Sequence, residues 1–178
     1  MKNTDAIGHV TGQSVYLDDI ELMQGCLFGA VYSSPVAHAD LLGLDYEKAL
    51  ALPGVIAVIT AKDIPGENQV GGIIQDEPLF AEDQVHFMGQ PIALVVAENE
   101  AAAREALELI SIETRLLEVV TDPREAQKKG MLLVPPRIFS SGNIEDAWGM
   151  CEHIFEGVAE TGGQEHLYIE TQGAYSYI

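Results

Sequence analysis

Cysteine is nearly missing. Only Cys26 and Cys151 occur in 178 residues, too few to staple a disulfide scaffold, so a reducing, cytoplasmic setting is the default expectation. Basic residues are scarce as well. Nine Lys and Arg face 28 Asp and Glu, a formal net charge of −19 that repels phosphate backbones and anionic lipid. Nucleic acid and membrane surfaces are therefore set aside as partners. No apolar run approaches the roughly 18 residues needed to cross a bilayer. Met1-Lys2-Asn3-Thr4-Asp5 lacks the basic start and apolar stretch of a signal peptide. Internal repeats and low-complexity tracts are missing too. What the chain does have is material for a core: 47% of its residues are hydrophobic, which argues against disorder and for one domain, or one domain and part of a second.

The punctuation of the chain predicts an α+β fold. Apolar, β-branched runs mark strands at 27–32, 55–60, 91–97 and 112–120. The run beginning at Pro91 is apolar throughout and reads as a central strand, with proline confined to its first position. Helices are expected at 46–52 behind Asp45, at 100–110 behind Asn99, and from Pro123 to a stop at Gly130 behind Asp122. In the second of these, Ala103, Ala106, Leu107 and Ile110 share a face, and Glu100 and Arg104 stand in the favourable i,i+4 order. Residues 131–142 carry Pro135-Pro136 and Ser140-Ser141-Gly142 and read as an extended connector, with one helical turn at 143–148. Two strands, 153–161 and 166–177, are expected around Gly162-Gly163. The second runs to the last residue, which suggests a larger parent protein.

Most candidate chemistry has a bland reading. His9, His38, His86, His153 and His166, with the two cysteines, match no closed zinc spacing, so satisfied or solvated histidines are expected. There is no Gly-x-Ser-x-Gly elbow and no phosphate loop around Gly71-Gly72 or Gly162-Gly163. The adjacent acids Asp18-Asp19 and Asp76-Glu77 are not brought together by adjacency, because strand neighbours face opposite sides. The segment that stands out is 161–171. Its glycine pair permits close backbone approach or positive φ, and Gln164 follows at once. A glutamine amide can donate to an oxo or hydroxo group without bringing charge. The alternative is a β-bulge or hairpin with exposed polar residues. Residue physics leaves both open.

Here the chain resembles a known family. Gly162-Gly163-Gln164-Glu165-His166-Leu167-Tyr168-Ile169-Glu170-Thr171 is similar to the glycine-glycine-glutamine-glutamate-histidine signature of xanthine dehydrogenases and related molybdenum hydroxylases. Upstream, Val10-Thr11-Gly12, Tyr16-Leu17-Asp18-Asp19-Ile20, Ala37-His38-Ala39, Leu52-Pro53-Gly54-Val55, residues 60–66 and Gly89-Gln90-Pro91 resemble the family's opening and its hammerhead domain, in the same order.

The resemblance implies an α/β-hammerhead with a mixed sheet and flanking helices over 1–130. A linker over 131–152 and the first strands of a molybdenum-cofactor domain over 153–178 would follow. It implies a purine or aldehyde substrate, hydroxylated with water as the oxygen source. The metal would be carried by a pterin in the full-length parent, without side-chain ligands and not bound to this piece alone. Gln164 matches the glutamine that hydrogen-bonds an oxygen on molybdenum. The family's catalytic glutamate lies beyond position 178 and its iron–sulfur cysteine motifs are absent. The resemblance therefore assigns no catalytic residue to this chain, which alone is expected to be inactive. The remainder of the molybdenum subunit and 2Fe–2S and FAD domains or a subunit would be its partners. Unpaired strand edges over 153–177 offer a route to homo-oligomers.

Overall fold

The computed structural model describes residues 6–164 and 172–177. In chain order its helices are α1 (Ala6–Thr11), α2 (Glu47–Leu50), α3 (Glu100–Leu107), α4 (Pro123–Lys128) and α5 (Ile144–Met150). Its strands are β1 (Phe28–Ser33), β2 (Ala39–Asp45), β3 (Val55–Thr60), β4 (Gln84–Val85), β5 (Pro91–Ala97) and β6 (Ser111–Leu116). Contacts divide the chain into a unit of Leu22–Met131, which holds β1 to β6, and a second that joins Met1–Glu21 to Leu132–Ile178.

In the first unit β5 is the central strand of a sheet ordered β1-β5-β3, antiparallel to both neighbours, with Val95 opposite Ala30 and Val58. Ile92, Ala93, Val95 and Ala97 are buried, as a strand apolar throughout requires when both faces are covered. Pro91 has no N–H to give, but its carbonyl accepts from Ala81 N at 2.8 Å. The α+β class holds, with two differences in detail. All these ladders are antiparallel rather than mixed, and β4, β2 and β6 form a separate three-stranded sheet. Tyr32 and Leu44 pack against buried residues of two core clusters, one around Val95 and Ala106 and one around Val85 and Ile92.

Sequence patterning passes over β2, for a physical reason. Its register shifts between Leu41 and Gly43, so the burial of alternate side chains changes phase partway along the strand. Asp40 in that strand ties all three strands of the sheet. Its carboxylate accepts from Gln84 Nε2 of β4 at 3.0 Å, and from Arg115 Nε and Nη2 of β6 at 2.9 and 2.6 Å.

Helix α3 begins as expected: Asn99 Oδ1 accepts from Ala102 N at 2.9 Å. Its alanines 102, 103 and 106 are buried, and a face made of methyl groups lets the helix lie close to the strands beneath. It ends three residues earlier than the pattern suggests. Glu108, Leu109 and Ile110 donate instead to carbonyls three residues back, the tighter winding common at helix ends. The Arg104–Glu100 pair forms at 2.7 Å on the exposed face. Helix α4 is capped at both ends as read. Asp122 Oδ1 accepts from Arg124 N at 2.7 Å and Glu125 N at 3.3 Å, while Gly130 sits at φ 71°. Gly130 N donates to Gln127 O and Met131 N to Ala126 O, a Schellman stop.

In the second unit, α5 is capped by Asn143, which accepts from Glu145 N at 3.1 Å. The connector over 131–142 is exposed and has neither helix nor strand. The strand expected at 153–161 does not form. Those residues are exposed and join no ladder among the described residues, and without a partner an extended segment gains no cross-strand pairing. Of the second expected strand, 172–177 shows none either, and 166–171 lies outside the described residues.

Two outcomes follow from this packing. Replacing the fully buried Ala103 by Leu forces side chains between α3 and the sheet, and thermal or denaturant unfolding should show a loss of about 1–3 kcal/mol. The Gln84 amide and then the Arg115 guanidinium hold the Asp40 carboxyl below its usual range, against a smaller opposing effect of desolvation. A carboxyl lowered on folding stabilises above its unfolded-state pKa, and that stabilisation is lost as pH falls through the folded-state value. The stability gap between the wild type and Asp40→Asn, measured by denaturant titration, should therefore be widest near neutrality and narrow in acid. A gap independent of pH would refute this role for the Asp40 carboxylate.

Candidate cofactor contact

Of the residues singled out for chemistry, some build the Leu22–Met131 unit, while others, among them His9, Asp19, His153 and Gln164, lie outside it. Within the unit, Gln90 is 2% exposed, and its Oε1 accepts from His86 N at 2.7 Å. Around it, Ser34 N donates to Gln90 O at 2.8 Å and Gly89 N to Ser34 O at 2.9 Å, with Gly89 at φ 90°. The Gly89-Gln90-Pro91 motif is thus a buried pin that joins the end of β1 to the start of β5. Its role is structural, and nothing in a polar residue before a strand announced its burial.

The 60–66 motif is likewise a turn device. Asp63 Oδ2 accepts from Thr60 N and Thr60 Oγ1, each at 2.8 Å, and the backbone bond first, then the hydroxyl, pulls the Asp63 carboxyl below its usual range. In the Leu52-Pro53-Gly54-Val55 motif, Gly54 stands at φ 89° with the Ala102 methyl close by, a conformation that few other side chains accept. The described histidines are bonded, stacked or exposed. His38 Nδ1 bonds Glu118 O at 2.7 Å and its ring stacks on His86 with centroids 6.1 Å apart. His9 meets the Tyr16 hydroxyl at 3.3 Å, His153 is exposed, and His166 lies outside the described residues. Asp19 accepts from Tyr16 N at 3.0 Å, while Asp76 and Glu77 are exposed on a loop. Among the described residues no three His, Cys, Asp or Glu side chains gather as a metal-binding group.

A cleft of about 380 Å³ in the first unit is lined by Leu41, Leu44, Tyr46, Lys62, Asp83 and Ile92 among others. Its lining mixes apolar side chains with the Lys62 amine and the Glu82 and Asp83 carboxylates.

Gln164 closes a run of exposed residues that has neither helix nor strand. Neither Gly162 nor Gly163 has positive φ, and a Cβ on either would meet nothing within 4 Å. The freedom to approach a bulky group closely is therefore present. The exposed amide offers two N–H donors and a carbonyl acceptor. That donor set suits a hydrogen bond to an oxygen of a bound group, and it neither carries charge nor exchanges a proton near neutrality.

Residues 11–118 match the family model of the aldehyde oxidase and xanthine dehydrogenase a/b hammerhead domain. Over 168 residues the chain is 40% identical to aldehyde oxidase 2 of Macaca fascicularis, covering 94% of this chain and 12% of that protein. Over 173 residues it is 36% identical to the xanthine dehydrogenase of Dictyostelium discoideum, covering 97% of this chain and 13% of the relative. The solved CO dehydrogenase of Oligotropha carboxidovorans superposes with a TM-score of 0.60 at 36% identity, over 71% of this chain and 16% of that one. Domain and motifs together place this chain in the aldehyde oxidase and xanthine dehydrogenase family, as an α/β-hammerhead protein. It spans only about an eighth of the length of the two curated relatives.

Removing the buried pin gives the checkable outcome. Gln90→Ala leaves the His86 N–H without its acceptor, so unfolding free energy should drop by about 1–3 kcal/mol while the far-UV spectrum keeps its native shape.

Proposed function

We propose that the parent protein is a molybdenum hydroxylase of the xanthine dehydrogenase type, which hydroxylates purines such as hypoxanthine and xanthine with water as the oxygen source. This chain is the N-terminal part of its molybdenum-binding subunit: a hammerhead over 1–130, a linker over 131–152 and the opening of the cofactor domain over 153–178. The observation that carries the reading is the glycine pair and Gln164 arriving in order behind the matched hammerhead.

In this reading the molybdenum–pterin group lies against the 162–164 run. The residues fit it: two glycines with open space beside them, then an exposed neutral amide. When bound, the group supplies the two-electron redox chemistry. The chain contributes one hydrogen bond, donated from Gln164 Nε2 to an oxygen of that group, which orients it. The general base belongs to the remainder of the subunit, so the isolated chain binds no substrate productively and does not turn over. Iron–sulfur and FAD domains or a partner subunit carry the electrons away, in the cytoplasm.

A second reading makes the chain a structural and interaction module of an aldehyde oxidase or a CO dehydrogenase-like enzyme. It is supported by relatives of those names matching as closely as the xanthine dehydrogenase relative. The test uses the full-length enzyme. Gln164→Ala should lower hypoxanthine hydroxylation about 10–100-fold, as losing a partner that orients a metal group does, with the fold intact. Unchanged turnover would remove Gln164 from the reading. Aldehyde oxidation without purine hydroxylation in the wild type would favour the second reading.

A further inference from the structure

The short strand β4 meets β2 antiparallel, with Ala39 opposite Val85 and Asp40 opposite Gln84. One step outward in the same register, His38 stands opposite His86. Leu41 N donates to Asp83 O at 2.8 Å, so that pair and, two residues on, Ala39 with Val85 are the hydrogen-bonded positions of the ladder. His38 and His86 therefore fall at a non-hydrogen-bonded position, where facing side chains come closest. Their ring centroids lie 6.1 Å apart, with 28° between the planes.

Both histidines are fixed from behind. His38 O accepts from Leu117 N at 3.0 Å, and His38 Nδ1 lies 2.7 Å from Glu118 O. A carbonyl oxygen only accepts, so Nδ1 carries the hydrogen and Nε2 of the neutral ring keeps its lone pair. His86 N donates to Oε1 of the buried Gln90 at 2.7 Å, away from β2, as a non-hydrogen-bonded position demands. An imidazole that gives one N–H to a backbone carbonyl and stands against a second imidazole has the outer support of a metal ligand.

The surrounding charge suits a cation. Asp40 and Gln84 occupy the next pair on the same side of the two strands, and the Arg115 guanidinium there is matched by Asp40 at 2.6 Å. The chain as a whole carries −19, which draws a divalent cation rather than repelling it. Imidazole nitrogen takes copper, nickel and zinc, whereas magnesium and calcium want oxygen. Bonds of about 2.0–2.1 Å from one nitrogen of each ring to a shared ion bring the centroids to about 5 Å. Rotation of the exposed His86 side chain supplies that closure.

We propose that His38 and His86 form a cross-strand chelate for a divalent transition-metal ion, with water at the remaining positions, which clamps the end of β4 to β2. Two protein donors are fewer than a catalytic or structural zinc centre has, so the affinity is moderate. β4 is two residues long, and a second tether supplements its few ladder bonds. Both rings are placed by bonds within Leu22–Met131, and the site stands whichever oxidation the parent performs.

The test uses the untagged full-length subunit, with Cu²⁺, Ni²⁺ and Zn²⁺ each added alone. Calorimetric titration should find the tightest-bound added ion at one per chain, and that ion should raise the unfolding midpoint. His38→Gln and His86→Gln should each lower the affinity about tenfold or more. The metal-free melting temperature of His86→Gln should stay at the wild-type value. In the wild type, the electron paramagnetic resonance spectrum with Cu²⁺ should carry the splitting of two imidazole nitrogens, a readout that needs no variant. Absence of binding overturns the proposal. So does wild-type affinity in both variants, which would mark an adventitious ion held elsewhere, and so does a copper spectrum with fewer than two imidazole nitrogens.

Discussion

The hammerhead unit depends on one strand being saturated in every direction. β5 gives its backbone to β1 on one edge and β3 on the other, and buries side chains on both faces. No polar side chain in it competes for those bonds, and its lone proline sits where no ladder bond is lost. Around that strand the remaining choices follow. The sheet must be covered, so α3 presents methyl groups rather than long side chains, and the chain must enter β5 at a fixed height, which the buried Gln90 amide and the Gly89 turn secure.

Legibility in the sequence tracked how local the deciding interaction is. β3 and β5 were readable to the residue because each is an apolar run, closed in β3 by Thr60, between turn residues. Asn99, Asp122 and Gly130 were readable because a cap is settled within four residues. β2 was not, since its register shift breaks the alternation and Asp40 and Gly43 look like turn residues until Gln84 and Arg115, far along the chain, are seen to meet the carboxylate. The two residues of β4 carry too little pattern to register at all. The strand expected at 153–161 failed in the opposite sense: the local pattern was present, and among the described residues no strand pairs with it.

The candidate site divides in the same manner. Several motifs that looked chemical, those around Asp63, Gly54 and Gln90, hold turns and strand ends in place, and their bonds are internal. Gln164 alone among the singled-out residues keeps its amide turned to solvent beside two open glycines. A residue whose hydrogen bonds are already made contributes to stability. One whose donors are still free is available to a ligand.

The exposed connector has a consequence for how the polypeptide ages in a cell. Arg137 stands between Pro136 and Ile138, with Leu133 and Phe139 close by and no secondary structure over 131–142. Such a stretch threads readily into a protease groove, where an extended backbone and an accessible basic side chain are what trypsin-like enzymes grip. Nicking at that bond would leave Leu22–Met131 with its ladders and caps complete while severing it from Gln164, so scissors could shorten the polypeptide without melting a single strand.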